Sequence, residues 1–221
     1  MYHGTSVEFG KKILIEQKMR PSRGDDQWLG DGQYFFRNDF YAFRWIVIKY
    51  TEGFKNNNTK KIELIYDHYM ILKADINLNP DRVYSLYDPI AHANYMNLLD
   101  LLQEKQEYSE KYKNKEIVDG VVINILFTRM GYGKRYDAVE AMFNISTRSK
   151  RKTRFNSFSE YQVCIKNSDI IKRIVKFNNE NVPEQYIKTL NDYNIIKFGN
   201  TRGVGNARAI NYKTTHAYKY K

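Results

Sequence analysis

Apolar residues recur along this chain at two periods and divide it into short strands and helices. Residues 2–5 read as a short strand ending in a turn. Ser6 can cap a helix over about residues 7–19, with Phe9, Ile13 and Leu14 on one side. Pro21 to Asp26 reads as loop. Gln33–Phe36 is aromatic and β-prone, and it is entered through Gly30 and Gly32. Asp39 is a good N-cap, after which Phe40, Phe43, Val47 and Tyr50 recur at helical spacing. The polar run Lys55–Lys61 is a loop. Met70–Ile76 then alternates as a half-buried strand. Met70, Leu72, Ala74 and Ile76 point one way and Ile71, Lys73 and Asp75 the other.

Asp88-Pro89 starts a helix, because proline at the first helical position loses no needed hydrogen bond. It runs through the leucines near 98–102 into a charged tail ending near Asn114. Asp119–Met130 reads as a second helix and Ser146–Asn156 as a loop. Tyr161, Val163 and Ile165 alternate with polar partners, so residues 159–166 read as a strand, and residues 183–191 as a helix. No internal repeat is present. The layout is a mixed α+β domain over residues 1–177 and a basic C-terminal extension over 178–221.

Composition and charge sharpen this outline. A 42% hydrophobic content in 221 residues is enough to bury a sizeable core. The one cysteine, Cys164, excludes an internal disulfide and any multi-cysteine zinc site. His68, His92 and His216 lack ligand-like spacing, so no metal is expected. No apolar run reaches the roughly 18 residues of a membrane span, and the N-terminus shows no secretory pattern. The expectation is a cytoplasmic protein without membrane association.

The formal net charge of +11 is not spread evenly. Residues 146–221 carry 16 Lys/Arg and 5 Asp/Glu, whereas residues 1–145 carry 20 of each. A basic segment beside a neutral body suits an anionic partner.

Three separated segments carry the candidate chemistry. They are Tyr2-His3-Gly4-Thr5-Ser6, then Trp28-Leu29-Gly30-Asp31-Gly32-Gln33-Tyr34-Phe35-Phe36, and finally Ser159-Glu160-Tyr161-Gln162-Val163. Singly, each has an ordinary explanation as surface, core or strand end. In this order they resemble the NAD-dependent ADP-ribosyltransferases of the diphtheria-toxin and poly(ADP-ribose) polymerase type, which carry a His-Tyr-Glu triad on three strands of a split β-sheet. The resemblance covers about the first 166 residues in outline, with some twenty positions matching closely. It implies an ADP-ribosyltransferase-like split sheet flanked by helices, NAD as co-substrate, and His3, Tyr34 and Glu160 as the triad. It further implies that Gly4 and Thr5 contact the nicotinamide half and that Gln162 is a secondary polar contact.

The chemistry of these residue types agrees with that implication. Cleaving the nicotinamide–ribose bond develops positive charge on the sugar, so the site must hold ribose hydroxyls and place negative charge nearby. Histidine offers a ring nitrogen, bare Gly4 backbone can pair with a carboxamide, and tyrosine offers a flat ring. Strand alternation turns Glu160 and Gln162 to one face, expected to be a cleft, with Tyr161, Val163 and Ile165 on the other. Trp45 can flank nicotinamide or serve as helix core.

The acceptor is not implied by the fold. Arg148, Lys150, Arg151, Lys152 and Arg154 precede Glu160 without an intervening acid. In the tail, Arg202 and Arg208 are followed by Tyr212, Tyr218 and Tyr220, a mixture of cations and aromatics that suits single-stranded nucleic acid. The expected acceptor is therefore RNA or DNA, and the expected role a bacterial toxin or anti-phage effector. A protein acceptor, with the tail docking an acidic antitoxin or immunity protein, is one alternative. Simple NAD hydrolysis is another, and a non-catalytic nucleic-acid-binding module is a third.

Overall fold

Seven strands form one mixed sheet in the order β4-β5-β6-β2-β1-β3-β7. The strands are β1 (Tyr2–Ser6), β2 (Gln33–Phe36), β3 (Tyr69–Ile76), β4 (Val83–Ser85), β5 (Ala138–Ser146), β6 (Ser157–Ile165) and β7 (Ile171–Lys176). Only the β4–β5 pair is parallel; the other neighbours run antiparallel. The structure is a computed structural model and describes residues 1–24, 27–52, 62–105, 119–146, 157–177 and 182–192.

Helices cover both faces. Helix α1 (Val7–Glu16) lies on the face carrying Phe35, Met70, Leu72 and Val163, and its Val7, Ile13 and Leu14 join that cluster. Helix α2 (Asp39–Glu52) lies on the opposite face, where Phe43, Ile46, Val47 and Tyr50 pack with Phe36 and Ile71. On that same face, helices α4 (Pro89–Glu104) and α5 (Asp119–Thr128) cover Val139, Ala141 and Cys164. Short helices α3 (Ile65–His68) and α6 (Tyr132–Arg135) complete the body. Helix α7 (Glu184–Asp192), within the stretch read as the basic extension, packs Leu190, Tyr186 and Ile187 on the α2 cluster. Its Tyr186 hydroxyl donates to the Asp39 carboxylate at 2.5 Å.

Several sequence expectations are revised by packing. Helix α1 ends at Glu16 rather than near residue 19, because Gln17 turns into the left-handed region at φ 51°. The Gln17 side-chain amide then pairs with both backbone groups of Ile174 at 2.9 Å, extending the edge of β7. Ile71, expected on the polar side of β3, is buried like Met70 and Leu72 because α2 covers its face. Strands β4, β5 and β7 had no clear alternation. In β5 Ala138, Val139, Glu140 and Ala141 are all buried, since both faces are covered there.

Asp25, Asp26, the 55–61 loop, the charged tail to Asn114 and most of the 146–156 loop lie outside the described residues, as does the 197–221 segment. No helix among the described residues is long and apolar enough to cross a membrane.

One glycine fixes how α5 meets the loop before β2. A Cβ on Gly120 would sit 1.7 Å from the Gln27 carbonyl oxygen, a backbone atom that cannot swing aside. That carbonyl accepts from Gly30 N–H at 2.9 Å and so closes the 27–30 turn. Gly120→Ala is expected to lower unfolding free energy by about 3 kcal/mol through overpacking. Urea titration followed by circular dichroism measures it; a loss near zero would mean that the turn moves without cost.

Candidate active site

The three motif segments fall on β1, β2 and β6, which are consecutive neighbours in the middle of the sheet. Register places their side chains. Tyr2 pairs with Phe36, Tyr34 with Cys164, and Phe36 with Gln162. Residues paired across a sheet share a face, and successive residues alternate. Tyr34, Gln162 and Glu160 therefore lie on the α2 side together with Gly4. His3 lies on the α1 side with Phe35, its ring centroid 5.9 Å away.

His3 still reaches β2, because its Nδ1 lies 2.8 Å from the Tyr34 carbonyl oxygen. A carbonyl only accepts, so Nδ1 carries the proton and Nε2 is the acceptor nitrogen of the neutral ring. Burial pushes the His3 pKa below the usual histidine range and outweighs the opposing pull of that carbonyl. The imidazole is thus neutral and fixed in one tautomer at neutral pH.

Gly4 is where helix α2 meets the sheet. A Cβ there would come 2.7 Å from Ile46 Cγ2, 2.9 Å from the Ala42 carbonyl oxygen and 3.0 Å from the Trp45 ring. The absent side chain lets α2 lie against the strand, with Trp45 beside the Gly4 backbone. Thr5 is buried on the α1 side.

Tyr34 closes the glycine-rich turn. Its hydroxyl donates to the Gly30 carbonyl at 2.6 Å and accepts from Leu29 N–H at 3.0 Å. Burial drives the phenol far above its ordinary pKa, so it stays protonated. Gly30 has φ 69°, a conformation that glycine adopts freely. Lys166 adds donors from its Nζ to the Leu29 and Asp31 carbonyls, both at 2.6 Å. The glycines of this motif thus shape a turn that tyrosine and lysine pin to the sheet.

Glu160 sits in the most consequential environment. Its Oε2 accepts from Arg44 Nη1 at 2.7 Å, and both side chains are only 5% exposed. Gln162 Nε2 donates to the other carboxylate oxygen. Glu160 and Gln162 thus point together as expected, but α2 covers them and Arg44 neutralises the charge. Burial raises the Glu160 pKa above its ordinary value, with Arg44 and Gln162 opposing.

A second buried carboxylate lies on the other face. Glu140 accepts from Arg37 Nη2 at 3.1 Å and from the Tyr87 hydroxyl, which also meets the Tyr161 hydroxyl. Burial pushes its pKa up, yet the bonds from Tyr161, Tyr87 and Arg37 hold it below the usual carboxylate range. Sequence reasoning singled out neither Arg44 nor Glu140. Each interrupts an apolar run, Phe43-Arg44-Trp45-Ile46 and Val139-Glu140-Ala141, and a charge so placed signals a buried pair.

Arg148, Lys150, Arg151, Lys152, Arg154, Arg202 and Arg208 all lie outside the described residues. Among the described residues, no group of three or more His, Cys, Asp or Glu could hold a metal ion.

The fold is a helix-flanked mixed sheet whose three central strands carry the candidate site. The chain is 31% identical over 204 residues to the uncharacterized protein MJ0359 of Methanocaldococcus jannaschii, covering 85% of this chain and 91% of that protein. It belongs to the same family as that archaeal protein. No family model matches the chain. No solved structure matches it.

Proposed function

We propose that this protein cleaves the nicotinamide–ribose bond of NAD and transfers ADP-ribose to a nucleic acid, as a toxin or anti-phage effector. The observation that carries this reading is the placement of the His-Gly-Thr, Gly-x-Gly-x-Tyr and Glu-Tyr-Gln segments on three adjacent central strands. That placement is what the resemblance to ADP-ribosyltransferases with a split sheet calls for.

In this reading the C–N bond to nicotinamide breaks and its electron pair leaves with the ring. The sugar carbon becomes cationic, the acceptor's oxygen or nitrogen bonds to it, and the acceptor gives up a proton. The neutral, Nδ1-protonated His3 ring, on the opposite sheet face, holds the Tyr34 carbonyl and so positions β2 beside the site. Tyr34 offers its ring face to nicotinamide. Glu160 supplies negative charge to the developing cation once NAD draws Arg44 away from it. The basic balance of residues 146–221 supports a polyanionic acceptor.

The Arg44–Glu160 pair favours a second reading. A buried, neutralised carboxylate can act as a fastener of α2 to the sheet in a binding module that no longer cleaves NAD.

The acceptor is tested with NAD carrying radiolabelled adenylate, incubated with protein and RNA, DNA or a protein mixture. Label is expected on RNA or DNA, with transfer falling steeply as salt rises. Label on protein would retain bond cleavage and overturn the acceptor; free ADP-ribose as the only product would make the protein a hydrolase.

A further inference from the structure

Glu160, the carboxylate of the proposed reaction, is covered, and its cover is fastened by a helix the chemistry does not use. Both members of the Arg44–Glu160 pair are only 5% exposed, so NAD reaches the carboxylate only when that cover moves. A side chain on a helix leans toward the helix N-terminus, so the turn of α2 before Arg44 lies over the pair. That first turn carries Asp39, Phe40 and Tyr41. Burial raises the Tyr41 phenol pKa, and the nearby Glu160 charge raises it further. Beyond this turn α2 is fixed, because Ala42, Trp45 and Ile46 press on Gly4 of β1. The first turn is the part that can lift.

Tyr186 of α7 fastens it. The Tyr186 hydroxyl donates to the Asp39 carboxylate at 2.5 Å. Its ring meets the Phe40 ring edge-on at 5.4 Å and 88°, and the Phe43 ring at 5.6 Å. One helical turn further on, Leu190 is fully buried in the same cluster and seats α7 there. Helix α7 docks through the single stripe of Tyr186, Ile187 and Leu190, while Glu184, Gln185, Lys188 and Asp192 face solvent. At nine residues it is too short to hold its shape unaided, so it keeps that shape only while docked. A helix held by one stripe and one phenol–carboxylate bond is suited to release as a unit.

We infer that α7 is an autoinhibitory strap: through Tyr186 it holds the first turn of α2 closed over Glu160, and its release opens the site to NAD. The inference rests on the role proposed for Glu160 and adds how access to that carboxylate is regulated. Tyr186 is a positioning residue, since it acts through Asp39 and Phe40 and touches neither NAD nor the acceptor.

The test compares full-length wild-type protein with Tyr186→Phe, which loses the bond to Asp39 and keeps the ring, and with Leu190→Ala, which loosens the seat of α7. Glu160 is labelled with a water-soluble carbodiimide and an amine, without NAD, and the modified peptide is quantified by mass spectrometry. Labelling of Glu160 is expected to rise at least about tenfold in Tyr186→Phe, the population change set by one hydrogen bond to a charged group, and to rise in Leu190→Ala as well. Glu140, just as buried but on the opposite face, is the control and should label as in wild type. Nicotinamide release is read separately. A site open for a larger fraction of the time lowers the KM for NAD by the same factor and leaves kcat unchanged. A residue that merely supported the fold would lower kcat with the folded fraction. Unchanged Glu160 labelling in both variants, a parallel rise at Glu140, or slower release at unchanged KM would overturn the strap. If neither wild type nor variants release nicotinamide, the NAD reading fails alone, and the ratio of Glu160 to Glu140 labelling still decides the strap.

Discussion

Glu160→Gln is expected to cut nicotinamide release from NAD by about 100- to 1,000-fold, the scale seen when one preorganised electrostatic group is removed from a transition state. The substitution removes one negative charge and almost no volume. The amide oxygen can still accept from Arg44 at the position that the carboxylate holds at 2.7 Å. The loss of stability should then stay below that of a fully broken pair, and the variant can be assayed while folded. Rates are scaled to the folded fraction from circular dichroism. A Glu160→Gln protein that releases nicotinamide as fast as wild type would remove the carboxylate from the reaction, whatever else the sheet does.

Arg44→Met is expected to have the largest effect on stability, about 3–5 kcal/mol at neutral pH, because it strands a buried carboxylate. Methionine nearly fills the space of the arginine stem, so the loss reports charge more than volume. The pH dependence has a definite sign. Burial already raises the folded pKa of Glu160 above the ordinary 4.5, and removing Arg44 raises it further. Below about 4.5 both folded and unfolded chains carry the proton, and the variant keeps its acid-form stability. As pH rises through the folded pKa that stability is lost, since the unfolded chain ionises first. Urea midpoints should therefore separate wild type and Arg44→Met far more at about pH 8 than at about pH 5. The double variant Glu160→Gln, Arg44→Met should recover part of the loss, because the two residues form one unit. Equal separation at both pH values would mean that Glu160 is not ionised in the wild-type fold.

Elements governed by local chemistry were legible in the sequence. Ser6 accepts from Phe9 N–H and Asp88 caps α4 by accepting from Ile90 and Ala91, so both helix starts were set by their caps. The aromatic β2 and the alternating β6 also stand where their patterns put them. What escaped was decided at a distance. Gln17 stops α1 by pairing with Ile174, a partner 157 residues away. The first half of β5, Ala138 to Ala141, is buried on both faces, which erases alternation there. Of the candidate site, the three strands and the shared face of Glu160 and Gln162 could be read, while Tyr34 joins that face through its register with Cys164. The Arg44 partner could not, because nothing local to Glu160 names a residue 116 positions earlier. His3 on the α1 side is likewise a consequence of register, which the motif alone does not carry.

Nicotinamide release by the purified full-length protein tests NAD cleavage most directly. Protein is incubated with NAD and single-stranded RNA or DNA, and free nicotinamide is separated and quantified over time. Time-dependent release that scales with protein concentration and is nearly abolished in Glu160→Gln is the expected result. Folded wild-type protein that releases no nicotinamide under any of these conditions would contradict it, leaving Arg44–Glu160 as a fastener between helix and sheet.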